Sequence, residues 1–411
     1  MSAADPARRL RRALARSLRP PAVVLDVSFV NGLAACRSLH AAGACVIAVD
    51  HRPRALGLRS RSAVGVLSPD PADEQAYVDF LAELAERNFG EPAVAFPTHD
   101  GPLAAVGRNA DRLAAYTLPG SAWDVVGPLQ HKRHQYEAAA RAGVATPRTA
   151  YPMDRAEAER VATELRYPAL VKPSDPIPFK RRFGKPALVC AGPDELLEAF
   201  AAAAGSEPML QEVVPGDDSS LWTVGTYTNS EGRPLGIFCG RKLLQMPRGF
   251  GTCRVGEARW RDDAVEQALA LLGELGYHGI AQTEFRQDAE DGTLRLMEVN
   301  PRLWQWHGLA RACGVDLPRI AYEDTLGRAL PAVRSGPEHD GRRWVAAVAH
   351  LRSSHAEGAG LRETLAPLRG GDVVEATFDL HDPLPTLISA SGLVTAPVLR
   401  GARRVMGRSR R

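Results

Sequence analysis

The chain has no apolar run approaching the roughly 18 residues that cross a bilayer, which excludes a membrane-spanning role. Met1 to Pro20 hold several arginines but no apolar core of the kind a secretory signal needs. Cysteine is sparse: Cys36, Cys45, Cys190, Cys239, Cys253 and Cys313 stand apart with no C-x-x-C spacing. Neither a disulfide framework nor a zinc site is therefore expected, and a reduced cytoplasmic protein is the expectation. Aromatic residues make up only 6%, with no interleaving of aromatic and basic positions that would build a base-stacking platform, so no nucleic-acid partner is expected. The glycines of a dinucleotide site are also missing. The loop Val27-Ser28-Phe29-Val30-Asn31-Gly32 lacks the G-x-G-x-x-G that lets a pyrophosphate approach a helix terminus, which argues against NAD even with Asp50 at a strand end. Neither sign of charge dominates, at a net +3. The positive excess collects at Arg8 to Arg16 and at Arg400 to Arg411. Arginine clusters of this kind attract anionic membranes or nucleic acid, but solvated tails are the favoured reading.

At 411 residues the chain can form two or three lobes around a large core. After a basic flexible tail at 1–19, residues 20–125 alternate strand and helix. Ala22–Asp26, Cys45–Asp50 and Ala93–Pro97 read as strands, with Gly32–Ala42 and Glu74–Asn88 as helices between them. That alternation predicts a parallel sheet with helical crossovers, an α/β unit. A linker at Leu118–Ser121 leads into residues 126–207, which read as helix, strand, loop, strand and helix, with Pro152–Leu165 and Asp194–Ala204 as the clearer helices. Residues 208–328 form a larger α+β unit. In 329–411 extra strands are expected over Arg342–Leu351 and Asp372–Asp382, without an interpretable motif.

The chemistry concentrates in Leu296-Met297-Glu298-Val299-Asn300-Pro301-Arg302. Glu298 and Asn300 are two apart, so on a strand they share a face while Met297 and Val299 turn into a core. Glu284 lies on a second strand-like run, Ile280 to Arg286, and Asp288 to Gly292 between them reads as a hairpin turn. Pairing the two strands would gather Glu284, Glu298 and Asn300 as hard oxygen ligands for Mg²⁺, with Mn²⁺ as an alternative. A half-buried hairpin with surface acids is the plainer alternative.

Upstream stand Lys132, at the head of a helical run; Lys172 in Leu170-Val171-Lys172-Pro173; Gln211-Glu212-Val213-Val214-Pro215-Gly216 after an apolar strand; and Lys242 in Gly240-Arg241-Lys242. This order, closed by Glu284 and Glu298-x-Asn300-Pro301-Arg302, resembles the ATP-grasp superfamily. The likeness covers roughly residues 20–328 and is nearest to its predicted carboxylate-amine ligases, a group akin to D-aspartate ligase. The resemblance implies an N-terminal parallel-sheet domain at 20–125, a small α+β lid at 126–207 and a larger α+β ATP-binding lobe at 208–328.

The resemblance also assigns roles. Lys132 and Lys172 would face the phosphates of ATP. Gln211, Glu212, Val213 and Val214 would form the adenine hinge, chiefly through backbone atoms. Asp218 would take the ribose, with Asp217 and Ser219 as competitors. Lys242 would reach the γ-phosphate, and Arg302 the substrate carboxylate or the oxyanion. The basic run Lys180, Arg181 and Arg182 occupies the place of a glycine-rich phosphate-covering loop; it would cover phosphate itself or be a solvated charge run. Trp304 and Trp306 would wall an amino-acid pocket or simply pack, His99 to Gly101 and Arg248 to Thr252 would border the cleft, and neither His99 nor His307 is taken as a base. The implied activity is ATP-dependent amide formation from a small carboxylate and an amino-acid-like amine through an acyl phosphate, with a homodimer as the assembly considered. The alternatives are a thiol, hydroxyl or bicarbonate nucleophile on the same scaffold, or a non-catalytic nucleotide-binding regulator.

Overall fold

The computed structural model describes residues 6–173, 179, 182–185, 187–249 and 251–391. It begins with α1 (Pro6–Leu14), where a solvated tail was expected. Leu10 is 3% exposed and seats the helix, while its arginines face outward. The parallel sheet follows: β1 (Ala22–Leu25), β2 (Val46–Asp50), β3 (Val64–Leu67), β4 (Ala93–Pro97) and β5 (Tyr116–Thr117), in the order β3-β2-β1-β4-β5. Helices α2 (Val30–Ala41), α3 (Glu74–Asn88) and α4 (Asp100–Arg108) make the crossovers. The apolar runs Ala22–Leu25 and Val46–Val49 are buried on both faces, as a helix-covered parallel sheet requires. The sheet grows one way from β1 and then the other, so a crevice opens at the carboxyl ends of β1 and β4.

After α5 (Trp123–Val126) and α6 (Lys132–Arg141) comes a small antiparallel sheet, β6 (Thr149–Ala150), β7 (Ala169–Lys172), β8 (Leu188–Cys190) and β9 (Met209–Glu212), ordered β6-β9-β7-β8. Helices α7 (Arg155–Glu164) and α8 (Pro193–Ala202) cover it through a separate core that includes Ala158, Ala162, Val171, Leu196 and Leu210. Having a core of its own lets this unit behave as a lobe.

The largest sheet holds β10 (Leu221–Thr228), β11 (Pro234–Met246), β12 (Thr252–Ala258), β13 (Gly279–Gln287) and β14 (Leu294–Asn300), with α9 (Asp262–Glu274) packed against it. The expected C-terminal strands are shorter than the sequence suggested. β16 (Arg343–Val345) and β17 (Val373–Glu375) extend this sheet beyond β12, β15 (Val333–Arg334) pairs with β11, and Ala347–Glu357 is helical. Phe238, Trp304, Trp306, Leu317 and Trp344 share one core with Val24, Leu39 and Phe96 of the parallel-sheet domain. Trp304 lies so closely over Gly225 of β10 that a Cβ there would meet its ring at 2.0 Å, so no larger residue fits without displacing it.

Candidate active site

The site is organised by β13 and β14. Glu284 stands directly opposite Glu298, and Gln282 opposite Asn300. A β-bulge sits between the pairs Glu284/Glu298 and Phe285/Leu296, so Met297 is the extra residue. This corrects the simple alternation expected from the sequence. Leu294 and Leu296 are buried, the parity then slips, and Val299 is the next buried side chain, while Met297 is only half-buried. Without the slip Glu298 would share the face of Leu296.

Two carboxylates directly opposed across a ladder repel. Here each has its own cation. Lys242 Nζ lies 2.8 and 3.0 Å from the two Glu284 oxygens, in a buried pair. Lys132 Nζ lies 2.7 Å from Glu298 Oε2, in a pair more open to solvent. Lys132 holds Glu298 far below the usual carboxylate range despite burial. Burial lowers the pKa of Lys132 itself, but Glu298 outweighs it and the net shift is upward. Gln282 Nε2 donates to Glu284 at 2.6 Å, and Asn300 Nδ2 donates to both Glu298 and Gln282 at 3.2 Å.

Lys132 is delivered by the way α6 docks. β14 is the edge of its sheet, so its outward backbone groups need partners. Gln135 donates to the Val299 carbonyl (2.9 Å) and accepts from the Val299 amide (2.8 Å), while Tyr136 Oη and Lys132 Nζ both donate to the Met297 carbonyl. The helix therefore repairs the edge strand and sets its first lysine beside Glu298.

The small antiparallel lobe contributes Lys172, whose Nζ donates to Gln211 Oε1 at 2.7 Å. Gln211 in turn donates to Tyr136 Oη and Thr149 Oγ1, tying this lobe to α6. Burial, with Lys132 and Arg286 nearby, pushes the Lys172 pKa down to about 7. Arg286, on the same face of β13 as Glu284, donates to the Gly216 carbonyl. Among the described residues no partner reaches its buried Nε. Lys132 and Lys242 are therefore neutralised by the two carboxylates, while Lys172, whose partner is the neutral Gln211 amide, and Arg286, which donates to a carbonyl, are left to attract an anion.

The remaining expected residues are placed as follows. The Glu212 carboxylate accepts from the Arg166 amide and Nε and so is held on the small antiparallel lobe, while the Val213 amide donates to the Pro168 carbonyl and Val214 is buried. Asp218 accepts from Gln245 N and Nε2 and from Gly249 N, bracing the turn after β11. Asp217 accepts from Ser219. Lys180, Arg181 and Phe250 lie outside the described residues, and Arg182 is exposed beside the Phe183 ring. Trp304 and Trp306 are each 1% exposed and pack in the shared core. His307 is equally buried, and its Nε2 meets the Asn31 carbonyl at 3.0 Å.

Arg302 spans the lobes. Its Nε and Nη2 reach the two oxygens of Asp100, at the head of α4, at 2.5 and 3.1 Å, and Nη2 also donates to Asn300 Oδ1. Beside Asp100, His99 Nδ1 is 3.5 Å from Asp26 at the end of β1. Burial lowers the His99 pKa, Asp26 opposing. The crevice of the parallel sheet thus opens onto the same charged network. Gln135, Tyr136 and Gln282 carried no signal in the sequence as partners in it, whereas Asp100 stood in a loop expected to border the cleft and Arg286 stands two residues after Glu284 on one strand face.

The family described as carbamoyl-phosphate synthase L chain, ATP binding domain, matches residues 257–333, which include β13 and β14. A D-aspartate ligase of Enterococcus faecium (strain Aus0004) is 26% identical over 129 residues, 31% of each chain. The carbamoyl phosphate synthase large chain of Myxococcus xanthus (strain DK1622) is 24% identical over 305 residues, 69% of this chain and 27% of that one. The alignments thus span about a third or less of these curated relatives. The biotin carboxylase domain of Hydrogenobacter thermophilus 2-oxoglutarate carboxylase, solved with MgADP, ADP and bicarbonate, superposes with a TM-score of 0.62 at 18% identity, covering 78% of this chain and 73% of that one. The chain thus has the fold of this biotin carboxylase domain, and its acidic strands β13 and β14 lie in the part that is similar to the carbamoyl-phosphate synthase ATP binding domain.

Proposed function

We propose that the protein is an ATP-dependent ligase that joins a small carboxylate to an amine through an acyl phosphate, releasing ADP and phosphate. The observation that carries this reading is the charge arrangement: Lys132, Lys172, Lys242 and Arg286 gathered around only two carboxylates, with Arg302 at the mouth of the adjoining crevice. A triphosphate would be met by Lys172 and Arg286, which the two carboxylates leave without an ionic partner. Glu284, Glu298 and the Asn300 amide oxygen are hard donors that suit Mg²⁺, and Mn²⁺ would be accepted by the same set. Among the described residues no group of three or more His, Cys, Asp or Glu could hold a metal. Two carboxylates and an amide leave coordination positions for phosphate oxygens, which is how Mg²⁺ is commonly held at nucleotide sites. Bound there, the metal would neutralise charge between the phosphates.

A carboxylate resists an amine because its charge repels nucleophiles and oxide is a poor leaving group. Phosphorylation converts that oxygen into phosphate, which leaves readily. Arg302 presents a planar fork suited to the substrate carboxylate, and Asp100 keeps the fork oriented in the free protein. Asp26 and His99 lie just beyond, on the crevice side, where a cationic amine would be attracted and could lose its proton. Lys172 and Gln211 belong to the lid, whose closure would keep water from an acyl phosphate. The Mg²⁺, ATP and amino-acid-like substrates of this reading accord with the names of the relatives, one of them a D-aspartate ligase.

The test is a screen of amino acids and small carboxylates for ADP release, with hydroxylamine present to trap the activated acid as a hydroxamate. Hydroxamate together with ADP and phosphate is expected. AMP and pyrophosphate would overturn the mechanism.

A further inference from the structure

An apolar cavity of about 40 Å³ adjoins Arg302, and the acyl-phosphate chemistry makes no use of it. Arg302 and Leu303 form one of its walls, Phe96 and Leu103 of the parallel-sheet domain another, and Val126 and Ile280 line much of the rest. A single water needs roughly 10–15 Å³ of such space, so the cavity has room for about two or three carbon-sized atoms. Empty apolar space inside a packed structure costs stability, and a cavity kept beside a guanidinium is accounted for by a group that fills it in the complex.

The walls decide what that group is. Phe96, Leu103, Val126, Ile280 and Leu303 are all buried. Two hydroxyls belong to the lining, and both are engaged: Tyr277 Oη donates to the Ile280 carbonyl at 2.7 Å, and Ser121 Oγ donates to the His278 carbonyl at 3.1 Å. A carboxylate or carbonyl entering here would be stripped of water with neither hydroxyl free to bond it. An aliphatic group loses nothing on entry and fills the void.

Position ties the cavity to the substrate. Asp100 holds the Arg302 fork from the head of α4, and Leu103, three residues along, lies on the same face of that helix. The fork that would receive a carboxylate and the apolar wall are thus carried side by side. The linker wall is held tightly as well. Gly120 bridges to Gly279, whose φ of +118° suits glycine alone, and a Cβ at Gly279 would stand 2.8 Å from the Gly120 Cα. We propose that the cavity receives the α-substituent of the carboxylate substrate and restricts that substrate to acids with a short aliphatic chain, about the size of an ethyl or isopropyl group. This rests on the reading of Arg302 as the carboxylate's partner.

The test measures ADP release and hydroxamate formation, with hydroxylamine as the common nucleophile, for acetate, propionate, butyrate, isovalerate, isocaproate and succinate, each with and without an α-amino group. For one of these two sets kcat/KM is expected to peak at the butyrate or isovalerate skeleton and to fall about tenfold for each carbon removed. The succinate skeleton, whose second carboxylate would be buried, should stand about a hundredfold below the peak. Leu103→Ala should move the optimum to isocaproate and Val126→Leu should move it to propionate, opposite shifts that a general loss of stability cannot produce. Equal rates across the skeletons, a preference for succinate, turnover of larger acids alone, or an optimum that neither substitution moves would overturn the proposal and leave the ligase reading standing. Absence of hydroxamate with every acid, in this series and in the wider screen alike, would overturn the ligase reading and this proposal with it.

Discussion

Lys172 should take up a proton when a polyanionic nucleotide enters the cleft. Burial and the neighbouring Lys132 bring its pKa from 10.5 to about 7 in the free protein. At pH 8 about one molecule in ten then carries the charge, at pH 7 about half, and at pH 6 about nine in ten. Phosphate oxygens beside the ammonium would restore its pKa well above 8, since an opposite charge favours the charged form. Binding should therefore consume close to 0.9 proton per nucleotide at pH 8, about 0.5 at pH 7 and about 0.1 at pH 6. Calorimetric titration in two buffers of different ionisation enthalpy reads this number directly. Lys172→Met should weaken binding and remove the pH-dependent part of the uptake. The same shift predicts a stability trend. Between pH 7 and 10.5 the unfolded chain keeps a proton that the folded chain has released, so stability should rise with pH across that window and flatten in Lys172→Met. Uptake that is constant from pH 6 to 8, or that survives the substitution, would refute the reasoning.

Glu298→Gln and Asn300→Ala should each lower ADP formation by about a hundredfold or more, with little rescue by added Mg²⁺, because a Mg²⁺ held there would lose one of its protein donors; near-normal turnover in both variants would remove them from the site. Asp100→Ala should raise KM for the carboxylate substrate severalfold and leave nucleotide affinity unchanged, since Asp100 fixes the Arg302 fork and touches neither Lys132 nor Lys172. An equal loss of nucleotide affinity would mean that the Arg302–Asp100 pair acts on the phosphate side. Gly225→Val should destabilise the fold by about 1–3 kcal/mol or more, because its side chain would collide with Trp304 in a packed core. An unchanged melting temperature would show that the Trp304 ring can move aside.

How much of this was legible in the sequence depended on whether a residue's partner lay along the chain or across it. The alternation of strand and helix before Leu118 predicted the parallel sheet, and the turn at Asp288 to Gly292 predicted the pairing of β13 with β14. Both are local patterns. The bulge at Met297 was invisible because nothing in Leu-Met-Glu-Val-Asn says which residue lacks a cross-strand partner. β3 was missed because its centre is Gly65, a poor strand former, placed where a Cβ would stand 2.5 Å from the Leu58 carbonyl. Gln135 and Tyr136 read as ordinary helix residues until an edge strand is set beside them. Asp100 could be called cleft-bordering, but its bond to Arg302 crosses 202 positions of sequence.

Those long-range contacts explain how the site tolerates being charged before any substrate arrives. Lys132 and Lys242 are the counter-ions of Glu298 and Glu284 in the free protein, and without them two opposed carboxylates would strain the hairpin. Neither lysine can fully serve a carboxylate and a phosphate at once, so a nucleotide must arrive with positive charge of its own if the carboxylates are to stay neutralised. A bare nucleotide would only compete for the lysines. Lys172 is outside this exchange: its partner is the neutral Gln211 amide, and its charge is disfavoured until an anion is present. Since Gln211 also bonds Tyr136, which donates to the backbone of β14 at the bulge, the lid lysine and the acidic hairpin are parts of one hydrogen-bonded chain. An anion that charges Lys172 would therefore draw on the same chain of contacts that holds Glu298 in the cleft, coupling lid position to the acidic pair through bonds already made.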